Sequence, residues 1–478
     1  MDLGPAQPAQ EFDVRNANRA LVLLSFMTAT IVYVDTMLTP ALPRIVTQYG
    51  ISIDHASLII SLYTVFGVAV IPIFGKLGDI YGKKKVIMYI LLIYLIAATT
   101  TSIAPNFNLI LVSRFVQGVG LGVFALAFSL AREQFPRKLV PKAQGMISAV
   151  QVAGGALGLL GGAVVTNRFG WQANYWIAIP VIALLTILIR AIVRESKERK
   201  PGVKLDYVGA AWLGMSLTAI VLGLSEGPTW GWNSGPTLLL LTAGLVLIIP
   251  LALYERKLPE PVLDLSLLRQ RNLMAVNLLI ICYGLSLGIA FQSIVYALEL
   301  PPPSGFGIGI TEIGVYLLPL AIVVLPVAMA VGRVIPNYGV KPFLYLGSFF
   351  AMGAFLLLST YTSPVQIELY LIVYAFGGGM LTVSIQNLLV LSIAKSDMAL
   401  GTSLNTAFRY IGQSLGAPVA GVILTTYVAD YAAGGHLTAL PTRAAFQYCF
   451  YISVVAFVLV GLISIFAREV VSKDSVTS

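Results

Sequence analysis

The sequence predicts an all-α membrane protein of two similar six-helix bundles, with two additional transmembrane helices between them. Three observations lead to this prediction. Charged residues make up 11% of the chain and hydrophobic residues 58%, whereas soluble domains are about a quarter charged. The apolar segments are continuous over about twenty residues, the length that a helix needs to cross a bilayer. Two stretches of the first half also recur, in weaker form, in the second half.

Fourteen apolar spans are predicted, and none alternates apolar and polar residues as a membrane barrel strand does. Their extents are 20–42, 57–74, 86–104, 107–131, 144–166, 173–193, 206–225, 236–254, 273–297, 312–332, 342–360, 366–394, 399–428 and 445–467. The predicted divisions are a cytoplasmic tail at 1–18, a first bundle at 19–194, a linker with the two additional spans at 195–256, a second bundle at 257–468 and a cytoplasmic tail at 469–478.

The basic residues predict the orientation of these spans. If the N-terminus is inside, the outer loops hold only Arg44, Arg168 and Arg443, and the spans hold Arg114 and Arg409; every other lysine and arginine then lies on the inner side. Basic residues of short loops stay on the cytoplasmic side during insertion. The net charge of +9 is therefore explained by topology and not by nucleic-acid binding, and we expect a multi-pass protein of the plasma membrane with both termini cytoplasmic.

An internal repeat relates the two halves. The matched positions, at nearly the same separation along the chain, are Gly82/Gly339, Lys84/Lys341, Gly154/Gly412 and Gly158/Gly416. Membrane proteins with duplicated halves are commonly secondary transporters, whose substrate site lies between the halves near the middle of the bilayer. The repeat thus favours a transporter over a channel, for which no selectivity segment is found.

Several motifs resemble the major facilitator superfamily, in particular its 14-span drug:proton antiporters. The stretch "GKLGDIYGKKK" matches the signature loop of that family between the second and third spans. "RFVQGVGLG" resembles its fourth-span motif, "RFGWQANYWIAIPV" the entry to its sixth span, and "RYIGQSLG" its thirteenth-span pattern. The chain departs from the family at two places: Leu157 and Gly158 stand where the fifth-span motif has glycine and proline, and Asp35 lies one residue later than the usual aspartate.

The resemblance implies that the signature loop is a conformational latch between the halves in the outward-facing state. Its residues are Gly75, Asp79, Gly82 and Lys83. Asp79 would face a basic residue or the positive end of a helix, such as the start of the thirteenth span at 396–400. In the alternative interpretation, the loop is a solvated turn whose lysines only fix the topology.

Two ionisable residues inside the spans are candidates for proton coupling. Arg114 and Asp35 lie within the fourth and first spans, where charges are costly and usually functional. A carboxylate in a poorly hydrated cavity can take up and release a proton near neutral pH. The alternatives are that Arg114 extends to the membrane surface and that Asp35 makes a structural hydrogen bond.

Five further residues are predicted to line a substrate cavity because they place polar atoms inside spans: Tyr33, Gln117, Gln151, Gln386 and Arg409. Arg409 would bind an anionic group of a substrate or an acid on a neighbouring helix. Neither a phosphate-binding motif nor a cluster of metal-ligating residues is found, so we expect no cofactor, no metal and no enzyme.

The function predicted is secondary active transport: proton-coupled export of small hydrophobic or cationic compounds by alternating access, as in multidrug efflux, driven by the proton gradient. The expected partners are the small-molecule substrate, protons and the lipid bilayer, with a functional monomer. An alternative is a metabolite or organic-anion transporter of the same fold. A membrane enzyme, a receptor and a channel are other classes, for which the sequence offers no positive feature.

Overall fold

A computed structural model describes residues 14–51, 53–136, 139–196, 206–258, 270–393, 397–433 and 436–469. Nearly all of these residues are helical. The predicted terminal tails and the predicted linker lie partly outside the described residues, so the boundaries of the predicted divisions stay predictions.

The first bundle and the two additional helices occupy the chain up to Glu255. The helices, in chain order, are α1 (Val14–Thr36), α2 (Leu42–Tyr49), α3 (Ile53–Tyr81), α4 (Lys83–Ser102), α5 (Phe107–Gln117), α6 (Gly122–Gln134), α7 (Val140–Phe169), α8 (Gln172–Ile192), α9 (Tyr207–Trp230) and α10 (Gly235–Glu255). Short 3₁₀ helices, Thr39–Ala41 and Gly118–Leu121, connect α1 to α2 and α5 to α6.

The second bundle contains the remaining helices and a hairpin. The helices are α11 (Arg271–Glu299), α12 (Ile310–Tyr338), α13 (Lys341–Leu358), α14 (Pro364–Ser392), α15 (Met398–Thr426) and α16 (Arg443–Phe466). Between α15 and α16, strands β1 (Val428–Ala433) and β2 (His436–Pro441) pair antiparallel, with Val428 opposite Pro441. No such hairpin was predicted.

Thirteen helices in the described part of the chain are long and apolar enough to cross a membrane. They coincide with the predicted spans, with α5, the 3₁₀ turn and α6 together forming the fourth. Helix α15, at the place of the predicted thirteenth span, is 29 residues long but is not among the thirteen. It packs against α11 in the second bundle and against α3 and α6 in the first.

The predicted loop between the second and third spans is much shorter than expected. Helix α3 runs on through Gly75 and Asp79 to Tyr81, and α4 begins at Lys83. Gly82 alone breaks the helix, with a φ of +106° that side chains with a Cβ rarely adopt. The stretch is therefore not a solvated turn, because Lys76, Asp79 and Lys83 are buried, although Lys84 is half-buried and Lys85 is exposed.

The internal repeat is visible in how the helices pack. In the first bundle α1 lies against α7, and in the second α11 lies against α15. A Cβ at Gly154 would overlap the backbone of Ala29, and a Cβ at Gly412 would overlap the backbone of Ile281. Small residues allow helices in membranes to approach this closely. The matched glycines thus allow the same close contact between the first and fifth spans of each bundle.

A second equivalence lies where the third span of each bundle begins. After Gly82, the backbone nitrogens of Lys84 and Lys85 each donate to the carboxylate of Glu195, at 2.9 Å. After Gly339, which has a φ of +82°, the nitrogens of Val340 and Lys341 donate to Glu469 at 2.7 and 3.2 Å. Each carboxylate caps a helix N-terminus and follows the last helix of its own bundle.

The additional helices α9 and α10 cover one of the seams between the bundles. Helix α9 packs against α3 of the first bundle and α15 of the second, while α10 packs on α9. The contact is apolar, with Val65 and Val68 of α3, Val221 of α9 and Ala407 of α15 in one buried cluster. On the other side, α7 and α12 form the second seam.

Candidate functional site

A cavity of about 280 Å³ lies between the two bundles. Its polar lining comes from both of them: Asp35, Thr36, Tyr63, Ser148 and Gln151 from the first bundle, and Tyr283, Tyr374, Thr382, Arg409, Tyr410 and Gln413 from the second. Leu121, Phe124, Leu320 and Val324 supply apolar wall. A mostly apolar cleft with a few converging polar groups is typical of a small-molecule site.

Arg114 is fully buried next to this cavity. Its guanidinium donates to Asp35 Oδ1 at 3.2 Å, to Gln117 Oε1 at 3.0 Å and to the backbone oxygen of Ile59 at 3.2 Å. It also lies 4.5 Å from the ring centre of Tyr63. A side chain with this many partners is held in place inside the bundle, so Arg114 does not extend to the membrane surface.

Gln117 was predicted to line the cavity, but it is not part of the lining. Instead it supports the side chain of Arg114. Its amide nitrogen donates to Thr101 Oγ1 at 2.6 Å, and the Tyr175 hydroxyl lies 3.5 Å from its amide oxygen. One turn separates Gln117 from Arg114 on α5, so both face the same way. Gln117 therefore fixes the orientation of the guanidinium.

Asp35 lies in the last turn of α1 and faces the cavity. Arg114 holds one carboxylate oxygen, and 29% of the side chain stays exposed. Among the described residues, no hydrogen bond is made to the second oxygen, Oδ2. Asp35 is thus an intramembrane carboxylate that is paired on one oxygen and open to the cavity on the other side, and such groups are functional candidates by default.

Arg409 lies near the middle of α15 and is the second charged residue of the cavity lining. Its guanidinium carbon is 5.2 Å from the ring centre of Tyr410. Tyr410 lines the same cavity as Asp35 and Arg409. Gln151, which was also predicted to line the cavity, is part of its lining.

Two other predicted cavity residues lie elsewhere. The ring of Tyr33 is directed away from the cavity and against Gly161 of α7, because Tyr33 is on a different face of α1 from Asp35. Gln386 of α14 is half-buried but is absent from the lining, which α14 supplies through Tyr374, Gly378 and Thr382. Of the five predicted cavity residues, Gln151 and Arg409 belong to the lining, and Tyr33, Gln117 and Gln386 do not.

The four predicted latch residues lie at the end of the bundles that carries Lys76, Lys83–Lys85 and Arg132, here named the basic end. Asp79 Oδ2 accepts a hydrogen bond of 3.0 Å from the backbone nitrogen of Leu400, in the first turn of α15. Lys83 Nζ lies 3.0 Å from Asp79 Oδ1 and 2.6 Å from Glu133 Oε1. The first bundle thus presents a buried carboxylate to a helix N-terminus of the second.

Further bonds join the bundles at the basic end. Arg132 Nη1 donates to the backbone oxygen of Ile393 at 2.9 Å, just past the last residue of α14. The Thr402 hydroxyl donates to the backbone oxygen of Ala125 at 3.1 Å. Arg132 therefore faces the negative end of α14 while Asp79 faces the positive end of α15.

Sequence reasoning missed several of these residues. Glu133 and Ser196 complete the Lys83 cluster, with Ser196 Oγ donating to Glu133 Oε2 at 2.6 Å; an acid at the end of a span gives no signal that it is buried. The tyrosines of the cavity were missed because the chain has 22 tyrosines and no spacing distinguishes these. No cluster of histidine, cysteine and acidic residues suited to a metal ion is found in the described residues.

A cavity between two repeated bundles of membrane helices is an architecture commonly found in secondary transporters. Residues 24–417 match the family described as the Major Facilitator Superfamily, and the chain belongs to this family. Membership agrees with the resemblance inferred from the motifs.

Curated relatives include transporters with and without a described role. The chain is 28% identical over 422 residues to an uncharacterized MFS-type transporter of Mycobacterium tuberculosis (strain ATCC 25618 / H37Rv), covering 86% of this chain but only 60% of the relative. It is 27% identical over 399 residues to Multidrug resistance protein 3 of Bacillus subtilis (strain 168), covering 82% of this chain and 76% of the relative.

Solved structures share the fold. The human organic anion transporter MFSD10 (TETRAN) superposes with a TM-score of 0.68 at 16% identity, covering 94% of this chain and 99% of that one. The proton:xylose symporter XylE superposes with a TM-score of 0.63 at 12% identity, covering 96% and 97%. These likenesses establish the two-bundle architecture and nothing about the substrate.

Proposed function

We propose that the chain is a proton-coupled secondary transporter that exports small, largely hydrophobic or cationic compounds by alternating access, as a 14-span drug:proton antiporter. The observation that carries the proposal is the Asp35–Arg114 ion pair of 3.2 Å at the wall of the cavity. It combines a titratable group, a fixed counter-charge and access to the space that a substrate would occupy.

Exchange follows from competition at Asp35. In the ionised form, its carboxylate is neutralised by Arg114 and accepts a cationic or hydrogen-bonding group of the substrate at its exposed side. Protonation removes this charge and weakens both interactions. Arg114 keeps its bonds to Gln117 and to the Ile59 carbonyl, so the site is preserved between the two forms. Proton and substrate then exclude each other, which is the requirement for antiport.

Alternating access would use the bonds at the basic end as a gate. We place this end in the cytoplasm because its lysines and arginines favour that side, and both termini with it. In this orientation, the bonds of Asp79 and Arg132 to the second bundle hold the cytoplasmic side closed, and the chain is in an outward-facing state. Return to the inward-facing state requires these bonds to break.

The relatives support export without fixing the substrate. One of them is a multidrug resistance protein, and another is an export protein for tetracenomycin C in Streptomyces glaucescens, 24% identical over 360 residues. We propose that this chain acts as a monomer in the plasma membrane and needs no cofactor besides the proton gradient. An organic-anion transporter of the same fold is the second candidate, favoured by the cationic side chain of Arg409 in the cavity lining.

The test is a direct measurement of coupling in proteoliposomes of the purified chain. A pH-sensitive dye enclosed in the vesicles reports proton movement when hydrophobic compounds of positive, zero or negative charge are added. We expect at least one compound to release protons from vesicles with an acidic interior, in proportion to its uptake. Compound uptake that ignores the pH gradient for every member of the panel would overturn the proposal.

A further inference from the structure

We propose that the compounds this chain carries are zwitterions: an aromatic frame with a cationic amine near one end and an anionic group, such as a carboxylate, near the other. The amine binds Asp35 and the anionic group binds Arg409. This inference rests on the proposed transport function and goes beyond it by assigning both charges of the substrate.

The two charges of the cavity belong to different bundles. Asp35 lies on α1 of the first bundle and Arg409 on α15 of the second, and both line the same cavity together with Tyr410. The cavity of about 280 Å³ is just below the usual range of ligand sites, about 300–1,000 Å³. Because Asp35 and Arg409 line the same small cavity, one compact molecule that fills it is placed against both groups.

Arg409 is prepared to receive an anion. In the described part of the chain, no carboxylate lies within ion-pairing distance of it, and its guanidinium carbon lies 5.2 Å from the ring centre of its neighbour Tyr410. A charge in a membrane bundle is costly unless it is paired. The planar guanidinium donates two parallel hydrogen bonds to a carboxylate, so an anionic group of the substrate is a suitable partner.

The charge balance favours a zwitterion over a compound that carries only one charge. With Asp35 ionised, the site holds one negative charge against the positive charges of Arg114 and Arg409, so a plain organic cation meets a surplus of positive charge. A plain organic anion binds more tightly when Asp35 is protonated, and would therefore travel with the proton and not in exchange for it. A zwitterion leaves the balance unchanged, while its amine still competes with the proton at Asp35.

The space between the charges suits an aromatic frame. Rings of Tyr63, Phe124, Tyr283, Tyr374 and Tyr410 line it. The Tyr283 hydroxyl is 2.9 Å from Thr382 Oγ1, which keeps one ring fixed against the second bundle. Aromatic side chains stack on flat ring systems and hold them in a defined orientation.

The experiment uses three matched probes: a fluoroquinolone with a free piperazine amine and a free carboxylate, its ethyl ester, and its N-acetyl derivative. The first is a zwitterion, the second carries only the cation and the third only the anion. Binding to the purified full chain in detergent is measured by calorimetry at pH 7. We expect the zwitterion to bind wild type about tenfold more tightly than either derivative, the effect of one ion pair of about 1.4 kcal/mol.

Two variants assign the charges. In Arg409→Gln, we expect the zwitterion and its ester to bind equally well, because the partner of the carboxylate is gone. In Asp35→Asn, we expect the zwitterion and its N-acetyl derivative to bind equally well, because the partner of the amine is gone. Arg409→Lys keeps the preference for the carboxylate because it keeps the charge, and binding of the ester by Arg409→Gln with wild-type affinity shows that this variant is folded. The controls are Arg256→Gln at the exposed end of α10 and Asp430→Asn on the exposed face of β1, which keep the wild-type pattern.

A zwitterion that binds wild type no better than its singly charged derivatives overturns the proposal, as does a preference that survives Arg409→Gln. Binding in detergent needs no pH gradient. Failure of proton coupling in vesicles therefore overturns the proposed function and leaves the binding preference for zwitterions in place. Absence of that preference in detergent overturns the zwitterion proposal and leaves the proposed function in place.

Discussion

Asp79 and Leu400 are joined by a hydrogen bond of 3.0 Å across 321 residues of chain, from the Leu400 backbone nitrogen to the carboxylate. Asp79 is almost fully buried and is paired with Lys83 on its other oxygen. A carboxylate at a helix N-terminus in a partly buried site contributes up to about 2 kcal/mol. The bond thus connects the signature motif of one bundle to the start of a helix in the other.

Asp79→Asn should leave the protein inserted and folded but reduce transport by about tenfold or more, since a bias of about 1.4 kcal/mol shifts a two-state equilibrium tenfold. The amide keeps the size of the side chain and loses its charge toward both Lys83 and the α15 terminus. Initial rates in proteoliposomes at matched protein content provide the measurement. Asp430→Asn is the control, and wild-type rates in both variants would reduce the motif to an anchor for topology.

Arg132→Gln should also weaken the contact between the bundles at the basic end, because Arg132 binds the end of α14 whereas Asp79 binds the start of α15. The variant loses the bond to the carbonyl of Ile393 at the end of α14, so we expect the backbone amides at the start of α15 to exchange hydrogen faster. Exchange measured by mass spectrometry on peptides that contain Leu400 tests this. Arg190→Gln, at an exposed position of α8, is the matched control; unchanged exchange in Arg132→Gln would show that the Arg132 bond does not hold the gate closed.

Arg114→Lys should remove proton-coupled transport while the protein still folds. Lysine keeps the charge but cannot bond Asp35, Gln117 and the Ile59 carbonyl together, because it lacks the planar fork of donors. Substrate accumulation driven by a pH gradient is the measurement, with a melting curve in detergent to verify folding. Arg168→Lys at the exposed end of α7 serves as control. Normal accumulation in Arg114→Lys would show that only the charge matters.

Asp35→Asn should abolish uphill export driven by a pH gradient and leave downhill exchange of substrate intact. The asparagine still accepts a hydrogen bond from Arg114, so the cavity keeps its shape, but no proton is taken up. Proteoliposomes with and without an imposed gradient separate the two activities. If the variant still concentrates substrate, Asp35 is structural and the coupling group lies elsewhere.

Glu195→Ala and Glu469→Ala should destabilise the protein to a similar extent, by about 1–2 kcal/mol each, because each removes a carboxylate cap from a helix N-terminus. The comparison tests the equivalence of the two bundles at the start of α4 and of α13. Thermal unfolding in detergent measures how much stability each variant loses relative to wild type. A loss confined to one of the two would show that the equivalence is geometric and not energetic.

The sequence predicted the individual groups of the site better than their partners. Asp35 and Arg114 were each singled out because a charge in an apolar span is unusual, yet nothing in a single sequence shows that they meet across 79 residues. Asp79 was expected to face a helix start, since the glycines and the family motif both indicated a contact. Glu133, Glu195 and Arg132 stand at the ends of spans, where charges are ordinary, and only packing reveals that they bind neighbouring elements.

The glycine run after Gln117 illustrates a different limit. It lies within the predicted continuous span 107–131, but Gly118–Leu121 is a 3₁₀ turn between α5 and α6. Small residues in a span permit close packing in any helical geometry, so their presence predicts contact without predicting the local winding. The span was predicted correctly in extent and incorrectly in detail.

Helix α9 touches α3 of one bundle and α15 of the other through valine and alanine side chains. Any rocking of the bundles must therefore shear at least one of these two surfaces in every cycle. Dispersion contacts between smooth side chains have no preferred direction and change little over a small displacement, whereas a hydrogen bond is lost within an ångström. Helices α9 and α10 would therefore cover one seam between the bundles against lipid and still allow the two bundles to slide along them.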